Sequence, residues 1–502
     1  MYSTMKLPGR FFLLSVLIIF ILFRLFTMQM IDTYTDTHDY WQYGKSLASG
    51  HRPPEINHHI SRFTLIGASM LINSLPGESP YKFYILPMLL SFLSVYLIFK
   101  LLLILHGYGA AVFGSLVFTF FPEIISASCQ FRPDIFTISA LLGAVYIILI
   151  PGKKLLFQYR DEILISVFLF LAWGSNETAV FVFPGILFLY LYSRKNRRGF
   201  FIICGFALFL FFTECAVYKY NMNTFQGRFE LMRIHNFADV KTILPSFFDL
   251  FKRYAPYNMG WSWALLIYSS FLLSVPFIIR SKGIVRITGI CGLSFYILIL
   301  FAVKSVSPLV PALTFLSRYL MPGFGLLIIS FTLVFFSALT ILRKPMLQIF
   351  FSVLFITGAG TLTAVKYISP MDKSHPIIAT SRLHILFNEA VQSDTPVFFL
   401  GNHPHAHPNY VPIHRHVYAL NGTMLKNFKT RVQTKSLLTT FWVPYQNHSL
   451  LVIGAENRVD AIKARIQTLK EDDAVIVCSF KDYVSIYQNE PVRFSDFLSS
   501  LK

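Results

Sequence analysis

Apolar residues in this chain are gathered into blocks of about 20, the length at which a helix crosses the hydrocarbon core of a bilayer. A helix in lipid satisfies its own backbone, so repeated blocks of this length predict an α-helical polytopic membrane protein. The first block, Phe11 to about Met30, follows Lys6 and Arg10 and lacks a small-x-small cleavage site before the polar run that begins at Asp32; it reads as a retained span. Further spans are predicted near 83–103, 108–122, 135–151, 162–174, 179–193, 200–218, 261–280, 287–303, 321–341 and 346–366, which makes about eleven transmembrane helices. Only 14% of the residues are charged, against roughly a quarter in soluble domains, and a soluble enzyme is disfavoured on that ground.

The net charge of +19 would raise the question of nucleic acid in a soluble protein. Here the basic residues cluster in alternate short loops: Lys153-Lys154 with Arg160, Arg194-Lys195 with Arg197-Arg198, Arg280 and Lys282 with Arg286, and Arg343-Lys344. All four clusters fall on one side, as the positive-inside rule requires, and no helix or strand carries a basic stripe with base-stacking aromatics, so no nucleic-acid partner is expected. The opposite side receives the loop 31–82, the short loops 123–134 and 175–178, the stretch 219–260, the loop 304–320, and everything after about 367. Within 219–260, Phe225 to Tyr257 mixes apolar and basic residues and reads as surface-lying amphipathic helix, either a guide for a lipid or a brace. The cysteines, Cys129, Cys204, Cys215, Cys291 and Cys478, have no paired or CxxC spacing and indicate neither a disulfide framework nor a zinc site.

After Lys366 charges of both signs return and apolar runs shorten to strand length at Pro396–Leu400, Leu450–Gly454, Ala474–Cys478 and Tyr483–Tyr487, with a helical period over Glu456–Leu469. Two domains follow: a transmembrane part, 1–366, with an outer loop 31–82, and a small outer α/β domain, 367–502.

The outer loop carries the densest chemistry. Asp36 and Asp39 lie three residues apart just beyond the first span, a spacing that puts both on one face of a short helix. A carboxylate partly desolvated at the membrane surface can take a proton from a hydroxyl nucleophile; equally, Asp caps helices and Tyr and Trp belt the interface. The outward cations Arg62, Arg132, Lys304 and Arg318, with Arg228, Arg233 and Arg253, suit an anionic group such as phosphate, or snorkel from the interface. Arg24 lies inside the first span, where a charge requires a partner. Alternate histidines between His403 and His416 invite a metal, but the prolines among them favour a loop without a defined ligand set, and no metal site is assigned. Asn-x-Ser/Thr occurs at Asn176, Asn421 and Asn447 and matters only if the outer side is an endoplasmic reticulum lumen.

Asp36-x-x-x-Tyr40 after the first span, a helical turn leading to Leu47-Ala48-Ser49-Gly50, and then a His/Arg/Pro-containing segment resemble the first outer loop of the C-type glycosyltransferase superfamily. The nearest branches are the protein O-mannosyltransferases and the aminoarabinose transferases that modify lipid A. Phe131-Arg132-Pro133-Asp134 resembles the second outer motif, and Ser317-Arg318-Tyr319-Leu320-Met321-Pro322 is similar to the Arg-Tyr-x-x-Pro opening of a late span. The resemblance implies a glycosyltransferase that moves a hexose or pentose from a polyprenyl-phosphate-linked donor to a lipid, glycan or protein acceptor, with inversion, on the outer face of a bacterial-type inner membrane. It places Asp36 beside the acceptor as base or orienting group, with Asp39 in support, and Arg132, Asp134 and Arg318 in its later motifs; with the outward cation Arg62 and the residues Asn176 and Glu177 these are the candidate substrate-binding residues. One departure stands out: where relatives often have Thr-Lys-Glu or Thr-Lys-Gly after the fifth span, with the lysine near the donor phosphate, this chain reads Gly174-Ser175-Asn176-Glu177-Thr178. Glu177 is then a ligand or the cap of the sixth span. No cofactor is required, although a divalent ion between Asp36 and a donor phosphate is compatible with the spacing. The rival classes are a lipid-linked glycan flippase or transporter, which would place charges at mid-membrane, and a polymerase or ligase using a diphosphate carrier.

Overall fold

The structure, a computed structural model, describes residues 7–27, 36–50, 61–76, 82–129, 131–150, 159–222, 246, 249, 252, 255–301, 303–306, 309–311, 317–342, 345–368, 397–401, 438–446, 448–455, 459–480 and 491–499. The helices of the apolar part are α1 (Leu7–Thr27), α2 (Asp36–Ala48), α3 (Phe63–Ser74), α4 (Lys82–Leu105), α5 (Tyr108–Phe120), α6 (Pro122–Cys129), α7 (Pro133–Leu149), α8 (Arg160–Ser175), α9 (Phe183–Arg194), α10 (Arg197–Met222), α11 (Trp261–Leu272), α12 (Ser274–Arg280), α13 (Gly283–Leu300), α14 (Phe324–Leu339) and α15 (Pro345–Ile368). Each predicted span contains one of these helices, or in one case the pair α11 and α12. Among the described residues five helices are long and apolar enough to cross a membrane, and six if that pair, bent by 41°, is one span. The helices α3, α5, α7 and α13 are apolar but shorter. This is a multi-pass membrane fold, in which some of the predicted spans are formed by helices shorter than a full bilayer crossing.

The chain divides into two compact units. One contains Met1–Leu25, Tyr40–Leu71 and Leu86–Thr363; the other contains Phe26–Asp39, Ile72–Ile85 and Ala364–Lys502. In the first, α7 and α14 are almost wholly buried and form the centre, with α5, α8, α9, α11 and α13 around them. Aromatic rings fill this centre: Phe113 stacks on Phe335 at 4.7 Å, and Phe121, Trp263 and Phe324 form a mutual cluster. On α10 and α15 the apolar side chains instead face outward, including Phe201, Phe209, Phe212, Met346 and Phe350. Such a surface is unfavourable in water and stable against lipid tails.

The partner that Arg24 requires is the end of another helix. Its guanidinium, fully buried, donates to the Thr119 carbonyl at 2.7 Å and lies over the Phe20 ring. The neighbouring carbonyls at the end of α5 are also used: Phe120 accepts from the Thr363 hydroxyl at 2.8 Å and Phe118 from the Phe121 amide. Carbonyls of a last helical turn have no intrahelical donor, and a cation there also complements the helix dipole. Arg194 acts similarly at the C-terminal end of α7, donating to the Ile147 and Ile148 carbonyls while pairing with Asp161 at 3.1 Å.

In the second unit the described C-terminal residues form a five-stranded sheet in the order β4-β5-β3-β6-β7: β3 (Val397–Gly401), β4 (Leu438–Tyr445), β5 (His448–Ala455), β6 (Ala474–Phe480) and β7 (Pro491–Arg493), with a separate hairpin of β1 (Val303–Val306) and β2 (Leu309–Pro311) belonging to the first unit. β3 and β6 run parallel; the other neighbours are antiparallel. Phe398, Val443, Leu450, Val452 and Val475 pack against Ile462 and Ile466 of α16 (Val459–Gln467) and Phe494 of α17 (Phe494–Ser499). β4 was not among the predicted strands; its Pro444 is tolerated because β4 is an edge strand, where one missing N–H breaks no inner ladder. Tyr483–Tyr487 lies outside the described residues.

Candidate functional site

The described residues that follow the first span pack around an arginine. Arg62 precedes α3 and caps it, its carbonyl accepting from the Leu65 and Ile66 amides. Its side chain, 8% exposed, donates to the Tyr40 hydroxyl at 2.6 Å, lies over the Tyr40 ring, and pairs with Glu177 at 3.5 Å. Tyr40 is fully buried on α2. One turn later on the same face is Gly44, where a Cβ would lie 2.7 Å from the Ile66 carbonyl and closer still to Ser69. The α2–α3 crossing is thus fixed by a contact only glycine permits and by the Tyr40–Arg62 hydrogen bond.

Glu177 is delivered from the other direction. α8 ends at Ser175, and Asn176 turns the chain into a 3-10 turn, Glu177–Phe181, with its side-chain oxygen accepting from the Thr178 amide at 3.1 Å and the Thr178 hydroxyl at 2.9 Å. This is a side-chain N-cap. Asn176 is buried, 3% exposed, which leaves no room for a glycan on its Asn-x-Thr sequence. Upstream, the Thr64 hydroxyl donates to the Leu171 carbonyl at 3.0 Å, and a Cβ on Gly174 would collide with Phe63 and Thr64. The start of α3 is therefore seated on the end of α8, which brings Arg62 to Glu177. At the position where the resemblance leads one to expect a lysine, the cation arrives from a different element.

A second ion pair opens α7. Arg132 is extended, as the residue before a proline prefers; Pro133 starts the helix without needing an amide partner; Asp134 sits in its first turn, where a carboxylate favours the dipole. Arg132 Nε lies 3.2 Å from Asp134 Oδ2, with the arginine partly exposed and the aspartate buried. Arg318 lies in the 3-10 turn Ser317–Gly323, whose backbone packs against both α7 and the Glu177 turn. The structure thus unites Arg62 with Glu177 and Arg132 with Asp134, and sets the Arg318 turn against the elements that carry Glu177 and Asp134.

Asp36 and Asp39 both occupy the first turn of α2, the helical spacing their separation predicts. Arg228, Arg233 and Arg253, and the histidines from His403 to His416, lie outside the described residues. No group of three or more metal-ligating side chains occurs among the described residues. Sequence reasoning assigned no role to Tyr40 or Gly44, although Asp36, Tyr40 and Gly44 recur at intervals of one helical turn, the signal of a shared face. It also passed over Glu214, a buried carboxylate within α10 that accepts from the Trp173 indole at 2.9 Å, and Glu123, 3.4 Å from the Ser262 hydroxyl.

No protein-family model matches the sequence, and no curated protein matches it. Among solved structures the chain is similar to the crystal structure of ArnT from Cupriavidus metallidurans bound to undecaprenyl phosphate, with a TM-score of 0.51 over 88% of this chain and 97% of that one, at 9% identity. At this identity the likeness is one of fold. In fold it agrees with the resemblance drawn from the sequence.

Proposed function

We propose that this chain is a membrane glycosyltransferase that moves a sugar from a polyprenyl-phosphate-linked donor to a lipid, glycan or protein acceptor. The observation that carries the proposal is the fold shared along most of the chain with ArnT, a protein whose structure was solved bound to undecaprenyl phosphate. Arg62 and Arg132, each paired with a carboxylate, support it, since guanidinium groups match phosphate geometry and keep their charge when desolvated.

In the proposed reaction the acceptor hydroxyl oxygen bonds to the anomeric carbon as the bond from that carbon to the phosphate oxygen breaks. Asp36 takes the hydroxyl proton or orients the acceptor, with Asp39 beside it in the same helical turn. The carrier phosphate leaves with the electron pair, and Arg62, Arg132 and Arg318 stabilise the departing charge. In-line displacement inverts the anomeric carbon. The distribution of the basic clusters supports an outer-face site, with residues 367–502 read on the same side, and the resemblance implies a bacterial-type inner membrane.

The test is sugar transfer in membranes containing wild type, Asp36→Asn or Asp39→Asn, supplied with radiolabelled polyprenyl-phosphate sugars and a lipid and glycan extract. Loss of transfer in Asp36→Asn at unchanged protein level is expected. Full activity in both variants would remove the base assignment; no transfer by wild type while labelled lipid crosses the bilayer would replace the enzyme with a flippase.

A further inference from the structure

We infer that the basic patch at the first turns of α8 and α10 seats an anionic phospholipid, with its headgroup on Arg160, Arg197 and Arg198 and an acyl chain along an open stripe of α10. The patch lies at the end of α8 opposite Glu177, and the inference does not depend on the proposed sugar transfer.

Two contacts set the register of the helices. The Ser166 hydroxyl of α8 donates to the Ile203 carbonyl of α10 at 3.0 Å, and a Cβ on Gly199 would come within 2.8 Å of Glu162 Oε1. Both contacts join positions 37 apart in the chain, so α8 and α10 run parallel from a common side, and the same offset sets Arg160 level with Arg197. Arg160, Lys195, Arg197 and Arg198 are exposed, and among the described residues none of these four pairs with a carboxylate. The two acids at the start of α8 are turned to other groups: Asp161 pairs with Arg194 at 3.1 Å, and buried Glu162 accepts from the Tyr190 hydroxyl at 2.7 Å. The connection 150–159 contributes Lys153 and Lys154 and no acid, and the first turn of α10 also has none.

Directly beyond these charges α10 becomes apolar. Phe201, Gly205, Leu208 and Phe212 follow Arg197 at helical spacing on one face. The three large side chains are each more than half exposed, and a Cβ on Gly205 would meet no atom within 4 Å. At 1.5 Å per residue, Phe201 to Phe212 covers roughly 16 Å, about one leaflet of a hydrocarbon core of about 30 Å. A stripe of that depth fits an acyl chain, with a notch where glycine stands. The positive-inside rule accounts for cations on this side; it does not require them to stand unpaired at the head of an open apolar stripe. An anionic headgroup neutralises the arginines, whose guanidinium groups match a phosphodiester, while its chain covers the stripe. A zwitterionic headgroup brings a cation of its own and neutralises less.

The experiment uses the full-length protein in phosphatidylcholine nanodiscs doped with phosphatidylglycerol or phosphatidylcholine carrying the same photoreactive acyl chain, with cross-links mapped by mass spectrometry. Phosphatidylglycerol is expected to label residues 197–212 about fivefold or more above phosphatidylcholine, the factor that one basic residue near a lipid surface supplies. Raised salt should shrink this excess. Arg160→Gln/Arg197→Gln/Arg198→Gln should bring the two lipids level, whereas lysine at all three positions should retain most of the difference. Arg10→Gln/Arg280→Gln, which removes exposed charge from α1 and α12, should leave it unchanged. Equal labelling by the two lipids in wild type, an excess indifferent to salt, an excess that survives the triple glutamine variant, or its loss in Arg10→Gln/Arg280→Gln would overturn the inference.

Discussion

Gly44→Ala tests the geometry of the candidate site at a distance from its charges. The added Cβ would lie 2.7 Å from the Ile66 carbonyl oxygen and closer still to Ser69, whereas carbon–oxygen contacts settle at about 3.3–3.6 Å. Relief of the carbonyl contact requires α2 to move from α3 by about 0.6–0.9 Å, and the Tyr40–Arg62 hydrogen bond, now 2.6 Å, would stretch to about 3.2–3.5 Å, towards the limit of such a bond. Overpacking costs about 1–3 kcal/mol, of which the better helix propensity of alanine offsets up to about 1 kcal/mol, so the protein should still accumulate in membranes. Activity should suffer more than stability: a misplacement of this size commonly costs about a hundredfold in rate. The assay is sugar transfer in membranes normalised to protein level, with Ser69→Gly introduced alongside Gly44→Ala to remove the nearest obstacle. Partial recovery in the double variant is expected. Wild-type transfer by Gly44→Ala at normal abundance, or no recovery on clearing Ser69, would refute the reasoning that this crossing positions Arg62.

Arg24→Ala, which strips the buried donor from the Thr119 carbonyl and leaves a void, should lower the melting temperature in detergent well beyond Arg24→Met, which keeps the volume and removes the buried charge; equal effects would show that the carbonyl contact contributes little. Asn176→Ala should cost about 1 kcal/mol through loss of the cap, whereas Asn176→Asp, which preserves the acceptor, should stay near wild type in the same measurement. Phe398→Ala, at the centre of the sheet core, should destabilise the C-terminal unit by about 3–5 kcal/mol, read as protease sensitivity of residues 397–499 ahead of the helical part.

The helical class and the positions of its apolar helices were legible in the sequence because the spacing of apolar residues is a local property. The opening of α7 at Arg132-Pro133-Asp134 was equally local: an extended residue before proline, then a first-turn carboxylate. The pairing of Asp36 and Asp39 on one turn of α2 followed from their separation alone. The lengths of the helices were less legible, since hydropathy does not mark where a turn replaces a helix inside an apolar run. β4 escaped because Pro444 reads as a breaker until the strand is known to be at an edge.

By itself, then, the sequence determined that the chain lives in a membrane, which loops carry its charge, and which short motifs open its helices. Only the tertiary structure decided the partners: Tyr40 on Arg62 across 22 residues, Arg24 on the end of α5 across 95, and Glu177 opposite Arg62 where a lysine had been expected next door. Periodicity and capping act within a turn or two of the backbone and leave their mark in adjacent letters. Which buried cation meets which acceptor depends on how closely two helices approach, at Gly44 and Gly174 here, and a glycine in a sequence does not say which surface it admits.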